Sequence, residues 1–488
     1  MTWFKRNIWE IVFVTGLFIV GLCIRLQGIS TNHSFWADES AVSSFSRDVV
    51  LGKTPFLSKI EIVGYQRLQV VTTAIAFRIL GFSEWSARLP SVLWGTFGII
   101  FVYLLTRKLS NKWGGVLSAT IFTLFQLNLA YSTQAKPYAA IETIFLITLY
   151  LSTFLQNDIR KISLHIGIIL LSCIAALYNL IGSICFIPYL CITIPLLFKN
   201  PKQLGKYLIA LVPIFLVLFW WQRIYLFLPI IINPNHNWTT FLRDLFWRQY
   251  GLFTLPAFVG FFTIEDRRLK LGVGATLLAL LYSWNFIQYS HNIRYLMPLF
   301  GLIIVFFGVF WAKVGESLFK NSLFVCLAVF MLVYAGGYKV VRKPAAYYTP
   351  NADFSSDVQN ADYKTFFQKT YQLFPNFDKL PVFVGPFDTL SWYTDKNPAA
   401  IFTIDAKEPR FLDFVKSWQY RTLKDFKIEK AKYHKGLVIV NDWQSLMPED
   451  IKEFVKKNMK LELRVEAMEI STNDKWPLEL YSWGFDIK

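Results

Sequence analysis

Cysteine is scarce in this chain: there are five in 488 residues, and Cys23, Cys173, Cys185, Cys191 and Cys326 all fall in apolar runs. That placement indicates neither a disulfide framework nor a cysteine-based zinc site. Charge is thin as well. Asp, Glu, Lys and Arg make up 17% of residues against 54% hydrophobic ones, a balance too apolar for a soluble globular protein. The chain has no Gly-rich phosphate loop, no nucleophile elbow, no HxxxH or His-x-Asp spacing and no internal repeat. Nothing therefore marks a nucleotide-binding domain, a serine hydrolase or a histidine-ligated metal centre.

What the chain does have is a series of apolar runs of roughly 17–22 residues, the length that crosses a bilayer as helix. They lie near residues 8–27, 91–108, 114–132, 137–156, 162–179, 181–198, 206–228, 249–264, 270–288, 295–312 and 321–338. The expected fold is a polytopic α-helical membrane protein of about eleven transmembrane helices. Residues 65–81 carry Arg67, Gln69 and Arg78, so an interfacial helix is expected there. The first run has no small-x-small cleavage site and reads as a retained helix. After Tyr338 the composition becomes that of a soluble domain. The expected division is thus 1–339, transmembrane, and 340–488, soluble.

The net charge divides the same way. Residues 1–339 hold 28 Lys/Arg against 12 Asp/Glu, and the remainder 22 against 21. The excess sits in short loops at alternate helix ends, such as Arg107/Lys108/Lys112 and Arg267/Arg268/Lys270. This is a positive-inside pattern, not a nucleic-acid surface. It places the N-terminus inside and the soluble domain outside, in a multi-pass plasma (cell inner) membrane protein. In 340–488, "PVFVGP", "AAIFTI", "GLVIVND" and "LELRVEAMEI" alternate with "YKTFFQKTYQLF" and "PEDIKEFVKKN", which favours an α/β domain.

The unusual polar residues of the membrane half gather on the face opposite the basic loops. Asp38 and Glu39 in "HSFWADES" suit the start of an interfacial helix through about Leu51, with Asp38 as N-cap and Glu39 in the first turn. A carboxylate there also suits a general base acting on a hydroxyl. Lys136, Arg294 and Arg88 are either residues snorkelling or pairing at helix ends or holders of a lipid phosphate. His236 in "NPNHNW" is a candidate for ligand or metal contact, whereas His165 in an apolar run reads as structural. Trp36 and Trp238 read as interfacial-belt residues or as lining for a sugar site. Glu142, one turn inside the fourth helix, is an intramembrane ionisable group and so a functional candidate.

Four segments taken in order resemble the GT-C glycosyltransferases that use lipid-linked sugars, in particular the bacterial and archaeal relatives of protein O-mannosyltransferases and the aminoarabinose transferases. They are "FWADESAVSSFSRDVVLGKTP", "ILGFSEWSARLPSVLWG", "YSTQAKPYAA" and "HNIRYLMPLF". The family's Glu-Ala-Arg stands here as Gln134-Ala135-Lys136, which keeps a cation and lacks the acid. The resemblance implies a GT-C-like fold with interfacial helices in the first outer loop. It also implies transfer of a single sugar from a polyprenyl-phosphate donor to an extracytoplasmic hydroxyl on protein, lipid or glycan. Asp38, beside Glu39, would be the base. Lys136, Arg294, Tyr295, Arg88, Tyr138 and His236 would contact the donor phosphate or sugar. A divalent metal is left open, with no other cofactor implied. The alternative is a non-catalytic lipid-binding scaffold or transporter. A transporter would place its charges at the midplane of repeated halves, which this chain does not.

Overall fold

The computed structural model describes residues 7–31, 34–54, 66–155, 162–199, 212–221, 237–287, 293–341, 361–385, 387–412, 415–441, 446–466 and 477–485. The first helices are α1 (Ile8–Leu26), α2 (Ala37–Val50), α3 (Arg67–Leu80), α4 (Glu84–Leu109), α5 (Lys112–Leu124), α6 (Gln126–Ser132) and α7 (Tyr138–Leu155). They continue as α8 (Ile162–Tyr178), α9 (Phe186–Lys199), α10 (Gly251–Phe262), α11 (Arg267–Tyr282), α12 (Met297–Ser317) and α13 (Ser322–Gly336). The C-terminal part adds α14 (Tyr363–Leu373), α15 (Asp388–Thr394), α16 (Leu423–Ala431) and α17 (Glu449–Asn458). Among the described residues four segments are long and apolar enough to cross a membrane: α1, α4, α7 and Ile293–Ser317. The expected span 206–228 is described only at 212–221.

Contacts divide the chain into two compact units. The first comprises Met1–Ile29, Ile60–Thr72 and Arg88–Tyr348, and the second Ser30–Lys59, Thr73–Ala87 and Thr349–Lys488. The compositional break at 339/340 runs close to the last of these boundaries, while the second unit also takes in 30–59 and 73–87.

In the first unit α12 is buried along most of its length and packs against α5, α7, α10 and α13. Close approach is possible because glycines stand at the crossings. A Cβ on Gly260 of α10 would lie 2.2 Å from the Phe306 carbonyl oxygen, and one on Gly114 of α5 would lie 2.9 Å from that of Gly308. Short polar side chains close the helix starts. Asn111 accepts from the amides of Trp113 and Gly114 at 2.9 and 3.1 Å, and Asp266 from those of Arg268 and Leu269 at 2.8 and 2.9 Å. The expected helix 114–132 is broken at Phe125, whose φ of −70° and ψ of 122° are extended. There the chain pairs instead with residues 339–341: Gln126 donates to the Lys339 carbonyl and Val341 to that of Leu124, both at 3.0 Å.

The second unit is built on a seven-stranded sheet. Its strands are β1 (Val382–Val384), β2 (Ala400–Phe402), β3 (Arg410–Leu412), β4 (Ser417–Tyr420), β5 (Gly436–Asn441), β6 (Lys460–Val465) and β7 (Leu478–Trp483), in spatial order β3-β4-β2-β1-β5-β7-β6. The four central strands, β4, β2, β1 and β5, are parallel, and the outer ones run antiparallel. Side chains alternate with period two. Val382, Val384, Leu437, Ile439, Leu478 and Leu480 enter the core with α14 and α15, whereas Phe383, Val438, Val440, Tyr481 and Trp483 enter the one with α16 and α17. Helices on both faces explain why β1, β2, β5 and β7 are buried throughout.

Candidate functional site

In the second unit, "HSFWADES" leads into α2. The expected N-cap at Asp38 is corrected. The cap is Trp36, extended at φ −88° and ψ 173° with no side-chain capping bond, and Asp38 and Glu39 both lie in the first turn. Trp36 is buried, and anchoring its ring fixes where the chain turns helical. The two carboxylates still sit where the helix dipole favours negative charge. Asp38 is half-buried and Glu39 fully buried. At the other end Gly52, with φ of 71°, takes the left-handed conformation that ends the helix at no Cβ cost.

α2 docks on α15 of the C-terminal domain. The Arg47 guanidinium donates to the Ser391 and Trp392 carbonyls at 2.9 and 3.2 Å and to Asp395 Oδ1 at 2.8 Å. It therefore gives the Trp392 carbonyl at the end of α15 a donor and adds a second donor to the Ser391 carbonyl, which also accepts the Asp395 amide at 3.1 Å. Lys53 reaches the same Asp395 at 3.1 Å. Just ahead of Asp38, Ser34 Oγ donates to Asp362 Oδ1 at 3.1 Å, and the Phe35 amide donates to Tyr393 Oη at 2.7 Å. Phe35 and Phe77 both pack on Trp392, with ring centroids 5.0 and 5.7 Å away. The segment carrying the acid pair is thus held by the C-terminal sheet domain at several points.

In the first unit three of the four motifs converge. Arg88 is fully buried and donates to the Ile29 carbonyl, 59 positions away, at 2.6 Å. One turn on, Ser91 Oγ donates to the Lys136 carbonyl at 2.8 Å, joining "ARLPS" to "YSTQAKPY". That second segment is no surface loop, since Thr133 to Lys136 are all buried. The Arg294 guanidinium stands 5.7 Å from the Tyr138 ring and 5.2 Å from that of Tyr295, and the two rings meet edge-on at 5.8 Å. Arg294, Tyr295 and Tyr138 therefore form one cluster around a cation, extended by Tyr131 at 5.9 Å from Tyr138. His236, with His33 and His291, lies outside the described residues. Among the described residues no three His, Cys, Asp or Glu side chains group as metal ligands.

Arg25 was missed from sequence, where it looks like an ordinary basic residue ending an apolar run. It is fully buried and donates from Nε to Ser132 Oγ at 3.0 Å and from Nη1 to the Gly21 carbonyl at 3.1 Å. Glu142, flagged in sequence as a costly intramembrane acid, accepts from Asn128 Nδ2 at 3.0 Å. A Cβ on Gly301 would lie 2.9 Å from its Oε1, so glycine makes room for the carboxylate. Both groups brace the helices that carry the Lys136 segment.

The chain thus combines an apolar helical unit that draws three polar motifs together with a sheet-based unit that holds the fourth. Residues 70–221 match the family model of dolichyl-phosphate-mannose-protein mannosyltransferases. No curated protein matches the chain. Among solved structures, ArnT from Cupriavidus metallidurans in the apo state is similar at a TM-score of 0.61 and 12% identity, over 98% of both chains. ArnT from the same organism bound to undecaprenyl phosphate gives 0.59 and 14%, again over 98% of both. The apo oligosaccharyltransferase of Archaeoglobus fulgidus gives 0.51 and 11%, over 82% of this chain and 65% of that one. These likenesses establish the fold, and the resemblance read from the motifs stands.

Proposed function

We propose that the protein is a plasma-membrane glycosyltransferase that moves one sugar from a polyprenyl-phosphate carrier to an extracytoplasmic hydroxyl. The observation that carries this reading is the convergence of Ser91, Lys136, Tyr138, Arg294 and Tyr295 in the first unit. Lys136, fully buried, stands two residues from Tyr138, whose ring the half-buried Arg294 faces, and two such cations suit an anionic lipid head. The similar ArnT structure is bound to undecaprenyl phosphate, which supports a ligand of that kind.

The acceptor oxygen attacks the anomeric carbon as the bond from that carbon to the phosphate oxygen breaks, inverting the centre. Its proton passes to the Asp38 carboxylate. The electron pair leaves with the polyprenyl phosphate, whose charge Lys136 and Arg294 offset. Asp38 suits the base role better than Glu39 because it is only half-buried and can meet an acceptor. About eleven crossings with the N-terminus inside bring the first loop and the C-terminal domain to the same outer side. The Arg47 and Phe35 bonds within the second unit support that placement.

The test is donor turnover. Membranes containing the protein are incubated with radiolabelled polyprenyl-phosphate hexoses, and label loss is followed for wild type and Asp38→Asn. Loss of the base should slow turnover by about 10²–10⁴-fold. Wild type that turns over no donor, or Asp38→Asn that matches it, overturns the reading. The first of those outcomes favours a lipid-binding scaffold.

A further inference from the structure

We infer that a cavity within the second unit is a binding site for a hydroxyl-rich saccharide, which makes the acceptor of the proposed transfer a glycan. This inference deepens the reading above and rests on it. The cavity measures about 430 Å³, within the usual size of small-ligand sites. Its walls come from the turn ahead of α4, from α14 and from α15, with Arg47 of α2 at one side.

Two kinds of group among its lining point to its ligand. Phe82, Trp85, Tyr371 and Trp392 supply aromatic rings, and Phe82 is 45% exposed although it is a large apolar residue. The face of an aromatic ring carries negative charge density, which attracts the polarised C–H groups on the flat side of a pyranose. The second kind is a carboxylate. Glu84 lines the cavity and is 7% exposed, yet its Oε2 has no hydrogen-bond partner among the described residues. A buried carboxylate oxygen left without a donor costs more than a hydrogen bond is worth. That oxygen lies behind the cavity wall, and a ligand hydroxyl that displaces a neighbouring wall side chain is a donor that would satisfy it.

Other ligand classes fit less well. An anionic head group would meet the Glu84 charge; of the two cations that line the cavity, Lys364 is one, and Arg47 already bonds two carbonyls and Asp395 and leaves only its Nε. An extended peptide binds well by adding to a sheet edge, and among the described residues no strand residue lines this cavity. The site also has a connection to the proposed base. Glu84 Oε1 accepts from Tyr393 Oη, which in turn accepts from the Phe35 amide at 2.7 Å. Phe35 stands three residues ahead of Asp38, so a sugar held on Glu84 is tied through one tyrosine to the segment that presents the acid.

Saturation-transfer NMR on the full-length protein in nanodiscs tests this, with methyl α-mannoside, methyl β-glucoside and methyl N-acetyl-β-glucosaminide as probes and a Ser/Thr-containing hexapeptide as the comparison. At least one glycoside should receive saturation, and Glu84→Gln and Trp85→Ala should each weaken its binding roughly three- to tenfold. Phe82→Ala, at an exposed ring, gives a third variant whose folding is not at risk. No transfer to any glycoside, transfer unchanged in all three variants, or transfer to the peptide alone overturns the assignment. Donor turnover in the same preparation separates the two claims. Turnover without glycoside binding removes only the saccharide site, and glycoside binding without turnover removes only the transferase reading.

Discussion

Arg47 and Asp48 are neighbours on α2 in opposite circumstances. Arg47 holds three acceptors at the end of α15, and nothing in its local sequence announces this, because its partners lie some 345 positions away. Asp48 is half-buried, and burial raises its pKa above the ordinary value of 3.8; Arg47 and Lys53 pull it back, and Asp395 pushes it up further. With the folded pKa above the unfolded one, the folded chain holds the proton more tightly. The stability this group contributes is full below about pH 3.8 and is lost as pH rises through the raised value. Asp48→Asn should therefore be more stable than wild type near neutral pH, by up to about 1 kcal/mol, with the gap closing as pH falls. Paired thermal melts across pH 3–8 check the sign, and a gap that widens on acidification would refute it. Other residues were easier to read. Arg294, Tyr295 and Tyr138 came from motif likeness and share one cluster. Glu84 and Tyr393 did not, since a bond spanning 309 positions leaves no local trace.

Elements were legible in proportion to their length. Apolar runs near 20 residues announce helices because the membrane demands that length, whereas β3 has three residues and β4 four, too few to display an alternation. The break at Phe125 was equally hidden, because its cause is a strand-like pairing with Val340 more than 200 positions away. Packing between helices depends on single residues that the pattern does not single out. Gly260 is one: the Phe306 carbonyl lies 2.2 Å from where its Cβ would be, and a backbone oxygen in a buried helix cannot step aside. Gly260→Ala should force α10 away from α12 and destabilise the protein by about 1–3 kcal/mol or more. Gly16→Ala in α1 is the control, since nothing lies within 4 Å of its added methyl. Melting temperatures of the two purified variants decide the matter, and equal values would mean the crossing is not tight.

At the scale of the whole molecule, one number in the sequence does much of the reading: an excess of cations that lies in the membrane half and is concentrated there in one set of loops. It yields an expectation of sides without any knowledge of contacts. The contacts of the second unit bear on the same question independently, because residues 34–53 and 77–85 bond to the C-terminal domain and must share its side of the membrane. What the charge count could not foresee is that the first loop belongs with the soluble residues as one compact unit, since that depends on partners hundreds of positions apart. Together the two arguments fix an expected labelling pattern. Leu318 lies beside Lys313 and Lys320 and is 74% exposed, while Leu373 at the end of α14 is 52% exposed. Leu373→Cys in intact cells should react with a membrane-impermeant maleimide, and Leu318→Cys only after permeabilisation, each above the background of the five native cysteines. The reverse pattern would put the acid pair and the C-terminal domain on the cytoplasmic side. Reaction at both sites in intact cells would mean that the basic loops do not mark a single face.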